Sequence, residues 1–198
     1  MTDQNLVLKA PERLAVAYAS VALRSALRLL LAFDNRLADV VGSSREPMIA
    51  QMKIAWWYDA VGKETGKRPK GEPILQELDK LGGNDVSRAM EQLLDAWGKL
   101  LSEEIWSAAT LEEFARCRSE AIFGTYGNGV GGGFDAVPLG KQWAIADLRQ
   151  RFGSRVGIAV PAMVDLPKSR KWRPLSILVL ATGNPSGTRM IWHALTGR

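Results

Sequence analysis

Apolar residues recur three and four apart over most of this chain, the period of helices that bury one face. Residues 12–41 hold Leu, Ala and Val in that rhythm without Gly or Pro, after Pro11 at a first helical position, and predict one long buried helix. Gly42, Ser43 and Ser44 break the pattern, and Pro47 restarts it over 48–61, ending before Gly62. Residues 63–72 form a polar loop with two Gly and a Pro. A short helix over 73–81 closes on Gly82 and Gly83, and the next, capped by Asn84 or Asp85, runs to about Leu101 through Val86, Met90, Leu93, Leu94 and Trp97.

Thr110 with Glu113 three residues later is a capping-box signature for a helix reaching about Tyr126. Residues 135–152 resume helical spacing until Gly153, 157–171 are irregular, and two short helices finish the chain, over 174–181 and after Asn184 with Pro185. No stretch alternates as a strand. The expectation is an all-α fold of about eight helices in a single domain covering 1–198.

Gly127, Gly129 and Gly132 spell G-x-G-x-x-G, but a nucleotide fingerprint needs a strand before them and a helix opening on them. A helix precedes them here, so close helix packing or a break in the chain is the better reading. Cys117 is the single cysteine, which excludes an intramolecular disulfide and reads as a small buried hydrophobe. His193 stands alone, short of the several ligands a zinc site wants and of any Ser-His-Asp arrangement. The N-terminus has no basic start followed by an apolar run, and apolar runs fall short of the roughly 20 residues that span a bilayer. A cytoplasmic chain is expected, with peripheral contact to the inner membrane left open.

The net charge of +5 is unevenly placed. The segment 148–198 holds nine Lys/Arg against Asp165 alone, so it carries +8 and the first 147 residues carry −3. Lys168, Arg170, Lys171 and Arg173 are its densest cluster, read as a solvated basic face or as a contact for an anionic membrane or an acidic partner. Sparse aromatic residues there argue against nucleic acid.

The segment 31–60 carries a more specific signal. Ala32-Phe33 through Asp39, a Pro47-initiated helix ending in Trp56-Trp57-Tyr58-Asp59, and Pro73-Ile74-Leu75 with Leu78 resemble the squalene/phytoene synthase family. Later stretches at 120–127, 140–148 and 157–161, and Leu166-Pro167 and Arg173-Pro174, look similar to later family segments, so the resemblance covers most of the chain. It implies an isoprenoid-synthase-like helical bundle, here truncated, because several family helices between Pro161 and Leu166 are missing. Family enzymes join two prenyl diphosphates using Mg²⁺ held by two D-x-x-x-D motifs.

That spacing has a physical reason: residues four apart on a helix differ by roughly 40° and can reach the same ions. Alignment on Ala32-Phe33 places the first pair of carboxylate positions at Ala38 and Gly42, and the second pair falls near Arg151 and Arg155. Asp34 and Asp39 remain but point roughly 140° apart, and Asn35 with Asp39 offers only one carboxylate. The expectation is therefore no catalytic residue, no metal ligand and no cofactor. A branch of the family that lacks the acidic pairs, the complex I assembly factor type, is more similar, and it implies a non-catalytic protein acting through a protein partner. The alternative is a Mg-dependent prenyl diphosphate transferase or prenyl-lipid binder. Under either reading Asp34, Asn35, Asp39, Trp57, Asp59, Arg151 and Arg155 are the candidate contacts for a diphosphate or a partner. Trp56 and Trp57 lie roughly 100° apart, so one belongs to the core and the other to a contact. Asp59 is expected in a solvated or structural ion pair, with a base such as Lys53 or Arg36, rather than in catalysis.

Overall fold

A computed structural model describes residues 6–43, 46–131, 133–159 and 165–183. In it α2 (Val21–Ser43) runs through the middle, with Leu27, Leu30, Phe33 and Leu37 wholly buried. Around it lie α1 (Ala10–Tyr18), α3 (Pro47–Gly62), α4 (Pro73–Leu81), α5 (Asn84–Lys99) and α7 (Thr125–Val130). α6 (Ala108–Ser119) crosses α8 (Val137–Phe152) closely and packs on α5, and α9 (Arg173–Thr182) lies against α1 and α8. The described residues contain no strand; Trp106 and Val156 form one isolated bridge. The all-α class holds.

Element bounds follow the punctuation in the sequence, with Pro at the start of α3 and α4 and positive-φ glycines at 82 and 153 ending α4 and α8. Two expectations need correction. The single helix over 12–41 is two helices, because Ala19 is extended and Ser20 restarts the chain by accepting from the amides of Leu23 and Arg24. Arg24 closes the end of α1 by donating to the carbonyls of Ala17 and Ala19, at 3.3 and 3.1 Å. No Gly or Pro marks this break, since an arginine supplies the missing cap.

The capping box at Thr110 and Glu113 is displaced. Ser107 is the cap, accepting from the Thr110 amide, while the Thr110 hydroxyl donates to Glu103 at 2.6 Å. Glu103 also accepts from the Ser107 amide, the task a box assigns to an acid inside the helix. Glu113 instead pairs with Lys99 and Arg116. Past α6 the helical path continues beyond Tyr126, through a π-helical turn (Glu120–Gly124) into α7.

The glycines at 127 and 129 serve close packing. A Cβ on Gly129 would lie 2.5 Å from a Leu23 methyl, and Gly127 faces the Trp172 ring. Gly140 is tighter still: a Cβ there would sit 2.1 Å from the Ser119 hydroxyl and 2.7 Å from the Phe123 ring. Gly132, the last of the fingerprint glycines, lies outside the described residues, as do His193 and the expected helix after Asn184.

Candidate functional site: a buried ion cluster and an open groove

Arg118 is fully buried on α6, yet its guanidinium is charged and nearly saturated. Nε and Nη2 hold the two oxygens of Asp34 at 2.9 and 2.6 Å, Nη2 also meets Asp147 at 2.5 Å, and Nη1 donates to the Ala144 carbonyl. The planar fork fits Asp34 in a bidentate grip, and the Trp143 ring lies 4.0 Å from its centre. Trp97 adds a third bond to Asp34, from its indole N–H at 2.8 Å.

The cluster continues outward. Arg151 on α8 donates to Asp147 at 2.8 Å and to the Asn35 side-chain oxygen at 2.6 Å. Asn35 passes its own amide to Glu12 at 2.7 Å, and Lys9 caps the far oxygen of Asp147 at 3.0 Å. Three acids, Asp34, Asp147 and Glu12, thus meet three bases, Arg118, Arg151 and Lys9, in a balanced set that ties α1, α2, α6 and α8 together.

The electrostatics follow from burial and pairing. Desolvation works against the charge on Asp147, but Arg118, Arg151 and Lys9 outweigh it and hold the carboxyl far below its usual range. Burial likewise opposes the Arg118 charge, and Asp34 and Asp147 more than offset it, leaving the guanidinium more basic than usual. Glu12 goes the other way: its desolvation outweighs the hydrogen bonds from Lys9 and Asn35, and its pKa is raised.

A second region is open to solvent. α2, α3 and Glu72 enclose a groove of about 490 Å³, with Asp39 and Arg36 on one wall and Met52, Lys53 and Trp56 on the other. Trp57, 4% exposed, is core and meets Phe33 edge-on at 4.9 Å, while Trp56 is 44% exposed. Arg36 reaches Glu72 at 3.6 Å.

The expected site residues divide between these regions and beyond them. Asp34, Asn35 and Arg151 come together in the buried cluster, where Asp34 is 1% exposed and offers no free oxygen to a ligand. Asp39 is turned away from Asp34 into the groove, as the helical angle requires. Asp59 pairs with Lys63 at 2.5 Å rather than with Lys53 or Arg36. Arg155 lies elsewhere, 4.3 Å over the Trp106 ring and donating to the Glu104 carbonyl.

Lys168, Arg170 and Lys171 are exposed, and Lys171 donates to the Gly131 carbonyl at 2.7 Å. Arg173 is no part of that basic surface: it is 9% exposed, because the first turn of α9 is buried between α1 and α8. Glu12, Trp97, Arg118 and Asp147 escaped sequence reasoning. A signal existed for two of them, since Arg118 sits four residues from both Phe114 and Ile122 on an apolar face, and Asp147 lies within an apolar run four residues before Arg151. Among the described residues no group of three or more His, Cys, Asp or Glu is placed to hold a metal ion.

No family model matches this sequence, and no curated protein or solved structure is similar enough to count as a match. The resemblance to squalene/phytoene synthases therefore rests on the motifs alone.

Proposed function

We propose that this chain is a catalytically silent, shortened relative of the squalene/phytoene synthases that acts by binding a protein partner, in the assembly of respiratory NADH dehydrogenase. The observation that carries this reading is the commitment of Asp34. On the helix that would offer carboxylates to Mg²⁺ and diphosphate, its two oxygens accept three hydrogen bonds from Arg118 and Trp97. Ala38, at the position where the resembling enzymes place an acid, is packed in the core. Binding is supported by the groove: Met48, Ile49, Met52 and Trp56 leave large apolar side chains exposed along α3. The proposal places the protein in the cytoplasm against the inner membrane. No helix among the described residues is long and apolar enough to cross one.

A second reading, a prenyl diphosphate transferase or prenyl-lipid binder, is favoured by the pairing of apolar walls with Arg36 and Lys53 in that groove. Incubation with farnesyl and geranylgeranyl diphosphate plus Mg²⁺ separates the silent reading from a transferase. The silent reading expects no pyrophosphate release, and turnover that disappears in Asp39→Ala would overturn it. Deletion of the gene is expected to lower assembled NADH dehydrogenase, and unchanged levels would remove the assembly role.

A further inference from the structure

α3 is apolar on two faces. Ala50, Ile54, Trp57 and Val61 point into the core, while Met48, Met52 and Trp56 run four residues apart along the outside, exposed by 69%, 64% and 44%. A helix that only closed the bundle would carry polar residues on that outer face. Beside this stripe lies the groove, and two exposed charges on its rim have no partner among the described residues: Asp39 on α2 and Lys53 on α3.

We infer that a second copy of this chain fills the groove, in a two-fold dimer built on α3. The inference rests on the reading of the groove as a docking surface and names its occupant. A two-fold interface uses one patch twice, so that residue i meets j and j meets i. The outer stripe suits that symmetry. An antiparallel crossing of two α3 helices centred on Met52 sets Met52 against Met52 and Met48 against Trp56 on both sides, and flexible thioethers fill such a contact well. The rim suits it too, because Lys53 of each copy then faces Asp39 of the other, turning the unpartnered charges into two ion pairs. An anionic lipid surface would call for a rim of one sign, whereas here one acid and one base balance.

Sedimentation velocity on the full chain from about 1 to 100 µM tests this, and a concentration-dependent monomer–dimer equilibrium is expected. Met52→Glu and Trp56→Glu should each weaken it at least about tenfold. Because both side chains are exposed, the helical circular dichroism should stay unchanged. Lys53→Asp or Asp39→Lys alone places like charges together and weakens the dimer about three- to tenfold, while the double exchange returns it to within about twofold of the original. A chain monomeric across this range overturns the inference, as does a dimer that both Glu variants leave intact or one that the double exchange does not restore. If the chain is monomeric, NADH dehydrogenase assembly in cells carrying Met52→Glu tells the two failures apart: lowered assembly keeps the groove as a docking surface for an unlike partner, and unchanged assembly removes both.

Discussion

The buried cluster and the open groove are built on the same helix, and α2 treats them in opposite ways. One side of it sends Asp34 and Asn35 into a site where every charge is answered by another part of the chain. The other side sends Asp39 to a surface where no described residue answers it. Polar residues that look alike in the sequence thus differ in kind: the inner set closes the fold on itself, and the outer one is available to another molecule. A carboxylate five residues along a helix from another has crossed to the far side, which is enough to separate a structural acid from a contact.

The contrast can be broken most strongly at Arg118. Arg118→Met strands Asp34 without a counter-charge, while Asp147 keeps Arg151 and Lys9, and should cost about 3–5 kcal/mol in chemical denaturation. Replacing Asp34 and Arg118 together by Leu and Met should recover most of that loss, since Asp147 stays paired with Arg151 and Lys9 and no buried charge is left alone. A double variant as unstable as the single one would mean that the pair stabilises beyond mutual neutralisation.

The two adjacent tryptophans give the same contrast in one dipeptide. Trp57→Ala empties a core position against Phe33 and should cost about 3–5 kcal/mol. Trp56→Ala, on the groove wall, should cost less than about 1 kcal/mol. Equal losses would erase the distinction between core and contact.

Next in size is Gly140→Ala, where the new methyl meets Ser119 and Phe123 at the crossing of α6 and α8. About 1–3 kcal/mol should be lost, seen as a lowered Tm. Gly129→Ala should be milder, because its obstacle is the end of the flexible Leu23 side chain.

The smallest effect concerns pH and Glu12. Its folded pKa is raised above the ordinary 4.5 by burial, so the stability it favours is fully present below that value and is lost as pH rises through the folded pKa. Asp147 runs opposite: its contribution is complete above its ordinary 3.8 and is lost as pH falls toward its much lower folded value. Glu12→Gln should therefore flatten the decline on the alkaline side of 4.5 and leave the acid limb of Asp147 in place, as read from urea midpoints across pH. A variant whose profile matches the parent would show that Glu12 does not titrate with folding.

Much of the fold was legible because helices are punctuated locally. Pro73 and Gly82 bound α4 as expected, and Gly153 ends α8. The break at Ala19 was not legible, since its cap comes from the Arg24 side chain reaching back to the preceding helix. For the same reason Thr110 misled: Glu103, upstream of the helix, does the work that a capping box gives to an inner acid. Of the candidate site, the turn of Asp39 away from Asp34 followed from helical angle alone, but nothing in α2 announced the charge that meets Asp34. Arg118 stands 84 residues away and Asp147 another 29 beyond it.

The sequence by itself determined the all-α class, the separation of Asp34 from Asp39, and the division of Trp56 and Trp57 between two faces. These depend only on a period of 3.6 residues and on local stop signals. Tertiary structure alone decided that Asp34, Asn35 and Arg151 meet in one buried ion cluster. It also decided that Arg173 is buried, and that the second apolar face of α3 is left open beside an acid and a base. Pairing across α1, α2, α6 and α8 depends on how helices distant in sequence cross, and no local pattern encodes which charges will meet there.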